Sequence, residues 1–163
     1  MGLLALAASA ALAGSAPAIA PAQGASPALI WRDIARLNIV CLAQSSAGVD
    51  QAVQARLCER ARGLAAQGAP VPVRVIPLGD PAVLAPDAAT ILIHASVEPG
   101  ARLLALSVRP FRNSTEQTAT LFAAAPRAVD LRGGDAATER ALAAALAETL
   151  PWRARPAGAR PIR

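Results

Sequence analysis

The chain has a single histidine, His94, inside the stretch "ILIHASVEPGARLLALSVRPF" at residues 91–111. A histidine can act as a general base when a serine stands beside it and a carboxylate orients it. Ser96, Ser107 and Arg109 lie in the same stretch. If 90–97 and 101–109 are strands joined by the turn "EPGA", their side chains alternate between two faces. Pairing Val97 with Arg102 sets Ile93 against Leu106 and Ile91 against Val108. The other face then carries Leu92, His94, Ser96, Ala105, Ser107 and Arg109, and Arg74 from another strand can join it. The catalytic set is incomplete there. Neither strand holds an acid, and no Gly-x-Ser-x-Gly elbow occurs. His94 reads first as a polar residue on the open face of a sheet. Its alternative role is the base of a small hydrolase, with Ser96 or Ser107 as partner.

Other chemistries have less to draw on. A structural zinc site takes four Cys or His ligands, and Cys41, Cys58 and His94 are the only such residues. Calcium-loop, phosphate-loop and dinucleotide patterns are absent. No metal or cofactor is expected. "RGGD" (132–135) reads as a turn in which Asp135 caps a helix, because an Asp side chain accepts from the exposed first amides. Asp80 and Asp87 read as solvated loop residues. Cys41 and Cys58 have two readings: a disulfide, as an oxidising compartment favours, or two separate, half-buried thiols. No Cys-x-x-Cys redox motif occurs.

The elements that must position these residues follow from periodicity. "ARLNIVCLA" (35–43) is a strand with Leu37, Ile39 and Cys41 on one face. Val49, Val53, Leu57, Ala61 and Leu64 mark an amphipathic helix to about Gln67, ended near Gly68. "APVPVRVIPL" (69–78) is a second strand, whose prolines suit a sheet edge. Residues 79–88 are a loop. The two His-bearing strands come next, then a polar turn (109–117). A fifth strand is expected at 118–125 and a loop at 126–134. A helix over 136–150 carries Leu142, Leu146 and Leu150 on one stripe, and Pro151 ends it. The order is β-α-β-β-β-β-α. It predicts one α+β domain over 35–151, with both helices on one face of a mostly antiparallel five-stranded sheet. That order resembles the amino-terminal domain of TolB-type envelope proteins, in element order alone.

Composition narrows the partners. The 163 residues suit one domain. Aromatics are Trp31, Phe111, Phe122 and Trp152 only, which leaves little for stacking on bases or sugars. All sixteen basic residues are arginine, and the net charge is +5. Four of them, Arg153, Arg155, Arg160 and Arg163, lie in a Pro-rich tail over 152–163, and the rest of the chain is nearly neutral. A nucleic-acid surface would put that excess on the folded domain, so no nucleic acid is expected. The tail reads as solvated, with a weak contact to an anionic surface as its alternative.

The first 22 residues carry no charged side chain, and small residues and prolines close the apolar run. This reads as a secretory signal cut after Ala22, although no basic residue precedes the run. Retention as a membrane anchor is the alternative. Residues 23–34 are a leader. The expectation is a small exported, periplasmic protein without catalytic activity, which binds another envelope protein through its open sheet face or a sheet edge.

Overall fold

The computed structural model describes residues 29–97, 100, 102–113 and 124–153. Chain order is β1 (Arg36–Ser45), β2 (Gly48–Val49), α1 (Gln51–Ala66), β3 (Val73–Val75), β4 (Ala88–Val97), β5 (Leu103–Phe111), β6 (Arg127–Asp130) and α2 (Gly134–Thr149). It is an α+β domain in which both helices share one apolar core on one face of a single sheet. The expected signal and most of the arginine tail fall outside the described residues.

The sheet is mixed. β1 lies parallel to both β3 and β4, while β4, β5 and β6 run antiparallel. The expected α+β arrangement with both helices on one face holds, and the sheet differs in detail: among the described residues it has six strands, with three antiparallel pairings, β1–β2 included, and two parallel ones. β1 is a central strand, and its apolar residues on both faces mark it as one covered on both sides. Leu37, Ile39, Cys41 and Ala43 face the helices with Ile91, Ile93, Leu106 and Val108. Leu57 and Ala61 of α1 and Leu142 and Leu146 of α2 close that core.

The parallel pairs have a topological consequence. β3 and β4 flank β1 and point the same way, so the chain between them must cross over β1, and with a right-handed crossover it does so on the face opposite α1. Residues 76–87 do this as a strap. Asp80 accepts from the Ala82 N–H at 2.8 Å and starts its short 3-10 turn, Pro81–Leu84. Three strap carbonyls are held by side chains. Ala82 accepts from Asn38 Nδ2 at 3.2 Å, Leu84 from Asn113 Nδ2 at 2.8 Å, and Pro86 from Arg112 Nη2 at 3.0 Å. An Arg36–Asp87 ion pair closes its far end. Beneath it Asn38 and Thr90 are fully buried and Val40 nearly so.

Three local expectations change. The β4–β5 register places Val97 against Leu104, Ile93 against Val108 and Ile91 against Pro110. That is two residues from the expected pairing, through a longer turn containing Gly100 at φ +77°. An even shift keeps every side chain on its face. The strand expected at 118–125 lies largely outside the described residues, and Ala124–Pro126 form no strand. β6 instead occupies 127–130, where a loop was expected. Asp135 does not cap α2. The cap position is Gly133, without a side-chain bond, and Asp135 pairs with Arg60 of α1. Asp50 caps α1 by accepting from the Val53 N–H at 2.9 Å.

Candidate functional site

The face opposite the helices has two halves. The strap covers the half that holds Asn38, Val40 and Thr90. The other half is open and carries Leu42, His94, Ser96, Ala105, Ser107 and Arg109. His94 lies between Leu42 on β1 and Ser107 on β5, directly opposite each. Ser96 is one same-face step away on β4, and Arg109 is opposite Leu92. The structure thus brings together four of the five face residues expected from sequence.

Arg74 is the exception. It pairs in register with Asn38, and its Nε donates to Asn38 Oδ1 at 2.9 Å. Asn38 is four residues from Leu42 along β1, roughly 13 Å at strand spacing. Arg74 therefore belongs to the strap half and helps orient the Asn38 amide, which holds Ala82.

The His94 ring makes no hydrogen bond among the described residues, and its Nε2 atom is buried. Catalysis by the pair would need a carboxylate on the ring and a serine hydroxyl within reach of it. The acids nearest in sequence whose partners are described are engaged elsewhere: Asp87 with Arg36, and Asp80 with the strap turn. Among the described residues no group of three or more His, Cys, Asp or Glu is placed to hold a metal ion. No helix among them is long and apolar enough to cross a membrane.

Cys41 and Cys58 form a disulfide with Cα atoms 5.7 Å apart. Helix and sheet layers usually stand farther apart. Cys58, on the α1 flank next to Leu57 and three residues before the fully buried Ala61, brings its backbone close enough to β1. Arg153, read from sequence as part of the tail, is anchored in the fold. Its Nη1 donates to the Leu64 carbonyl at 2.9 Å and also to Gln67 Oε1. Trp152 Nε1 donates to the Ala65 carbonyl at 2.9 Å. Both bonds reach carbonyls in the last turn of α1, where the helix's own ladder runs out; the Leu64 carbonyl also accepts from the Gln67 N–H at 3.4 Å. Arg155, Arg160 and Arg163 lie outside the described residues.

Two carboxylates at the margins are paired with arginines. The Asp87 carboxyl is held below its ordinary 3.8 chiefly by the hydrogen bond from Arg36, against a smaller opposing effect of burial. Asp130 is lowered from the same value, first by the Arg132 guanidinium and then by the Arg132 backbone N–H, and Arg132 is raised in turn.

A sheet edge is the feature that sequence reading reached by its prolines and the structure resolves by parity. The Leu37 N–H donates to the Pro72 carbonyl, and the Ile76 N–H to the Ile39 carbonyl. In a parallel ladder the inward-bonding residues alternate, so Pro72, Arg74 and Ile76 face β1. Val73 and Val75 direct both their N–H and C=O groups away from the sheet. Among the described residues no strand pairs with this edge. Pro72 lies on the inward parity, where its carbonyl serves and its missing N–H costs nothing outward. Pro77 marks where the outward row ends. The Val71, Val73 and Val75 side chains lie half-buried beside the core, and their outer flanks are accessible. Compared with protein families, with characterised proteins and with solved structures, the chain finds no match in any of the three.

Proposed function

We propose that this chain is an exported, non-catalytic module that binds an extended segment of another envelope protein along the outer edge of β3. The observation that carries this is the parity of that edge: Val73 and Val75 present their backbone donors and acceptors outward. An incoming strand gains affinity from such main-chain bonds and specificity from every second side chain. Here the alternate side chains on the helix side would meet Val71, Val73 and Val75, which selects apolar residues at those positions. The neighbouring prolines keep the edge short, which limits pairing to a brief segment. The Cys41–Cys58 disulfide is consistent with an oxidising compartment and so with export.

The test compares tagged wild-type protein with Val75→Pro in pull-downs from envelope extract. Proline at 75 deletes an outward N–H and leaves the bonds to β1 in place, so the variant folds. A stoichiometric partner captured by the wild type and lost with Val75→Pro supports the reading. Equal capture by both removes the edge from it, and no partner at all argues against a binding module.

A second reading is a hydrolase in which His94 acts with Ser107. It draws on their direct cross-strand opposition. A turnover abolished by His94→Ala, with the fold intact, would favour it.

A further inference from the structure

On the helix side of the sheet, a cleft opens between the N-terminal halves of α1 and α2. Its volume is about 230 Å³. Val53 and Leu57 of α1, Ala95 and Val97 of β4, Leu104 of β5 and Leu131 form its apolar walls. The floor is shallow at Ala95, where a methyl group stands in line with the larger Ile91 and Ile93. Arg56, Arg60, Asp135 and Thr138 form the mouth. The Arg60 charge is matched by Asp135. Arg56 is exposed and has no ion pair or hydrogen bond among the described residues. The mouth therefore carries one uncompensated positive charge above an apolar well.

We propose that this cleft binds a small amphipathic monocarboxylate, with its alkyl chain against Val53, Leu57, Ala95 and Leu104 and its carboxylate at Arg56. The volume sets the length. An apolar cavity of about 150 Å³ takes up a benzene ring of six carbons, so the well holds roughly eight or nine atoms. The charge sets the head group, since a single carboxylate balances Arg56 and leaves the Arg60–Asp135 pair intact. A dianion would compete with Asp135, and a cation would be repelled. A well lined by aliphatic carbon, with one charged group at its rim, is the usual composition of a small-molecule site. The proposal does not depend on the β3 edge, which lies on the far side of β1 from β4.

The experiment is a calorimetric titration of the purified protein with straight-chain carboxylates from butanoate to dodecanoate. Octanol serves as the uncharged control. Saturable one-to-one binding is expected, tightening about fourfold per added methylene and levelling off near octanoate, where the well is full. Arg56→Gln should weaken octanoate at least about fivefold and leave octanol unchanged, because only a charge-assisted contact is lost. Thr138→Trp, which fills the mouth, should abolish both. Val53→Trp is the second blocking variant if Thr138→Trp does not fold. No saturable binding of octanoate up to about 10 mM, far weaker than a millimolar site, overturns the proposal. So does octanoate binding indifferent to Arg56→Gln, or affinity that climbs through dodecanoate regardless of the blocking variants.

Discussion

His94 stands directly across from Ser107 on the uncovered half of the sheet, and its Nε2 is buried with no hydrogen bond among the described residues. A buried polar atom without a partner costs stability, and an apolar group of similar shape in its place removes that cost. His94→Leu should therefore stabilise the fold by about 0.5–1 kcal/mol, read as a higher urea midpoint with an unchanged slope. A loss of stability instead would mean that the ring holds a partner in solution.

Trp31 and Trp152 meet edge to face, with ring centroids 5.7 Å apart. Trp152→Ala removes this contact and the bond to the Ala65 carbonyl, and should cost about 2–3 kcal/mol for a half-buried ring. Trp152→Phe keeps most of the area and loses the N–H, so it should cost about 1 kcal/mol. Urea titrations of the two variants, side by side, separate packing from the hydrogen bond. Equal costs would contradict that division.

The Cys41–Cys58 bond spans 17 residues of sequence. Opening a loop of that length releases the unfolded chain, so the double variant Cys41→Ala, Cys58→Ala should lose about 3 kcal/mol. Both cysteines are at most 5 % exposed. Reductant should act slowly on the native protein and fast in denaturant, and thiol counting with and without urea checks this. Rapid reduction of the native protein would mean that α1 lifts from the sheet readily.

Acid stability depends on two carboxylates. Asp87 and Asp130 have folded-state values below the ordinary 3.8. A lowered carboxyl contributes stability that is present above its unfolded value and is lost as pH falls through its folded value. The urea midpoint should hold from pH 6 to about 4 and then drop. In Asp87→Asn part of that drop should vanish, because the group no longer titrates. An identical acid profile would show that the Arg36 contact does not persist in solution.

The strap offers a local readout. Asn38→Ala removes the donor to the Ala82 carbonyl and the acceptor of Arg74. It should cost about 1–2 kcal/mol and speed proteolytic cleavage within 77–86. Leu78 and Leu84, already exposed there, mark the sites an apolar-specific protease should take first. Unchanged cleavage would show that Asn113 and Arg112 hold the strap unaided.

Alternation made the faces legible. Leu37, Ile39 and Cys41 pointed to the core, and His94, Ser96, Ser107 and Arg109 away from it. Registers were not legible, because period-two alternation is unchanged when a strand slides by two. The parallel pairing of β1 escaped notice since an apolar run buried on both faces reads like any other strand. The strap escaped because its contacts are long-range: Asn38, Arg112 and Asn113 hold backbone carbonyls, which no side-chain pattern announces. Asp135 is the same kind of case. Its place before a helix suggested a cap, but the pairing with Arg60 depends on how the two helices lie against each other. The free edge was foreshadowed by its prolines, but only the bonding parity shows which residues face outward.

The disulfide also decides how the molecule responds to tension. Trp31 and Trp152 sit together, so a pull on the two ends of the described chain first peels one ring from the other and then draws out β1 from its start. Extraction reaches Cys41 and stops following the chain, because the load passes through sulfur to Cys58. The residues between them carry no force. A stretched molecule should come up roughly 54 Å short of its full contour, which is 17 residues at about 3.5 Å each less the 5.7 Å that the disulfide itself spans, and regain that length only after reduction. Any machine that threads the oxidised chain from either end would meet a closed loop in place of a single strand.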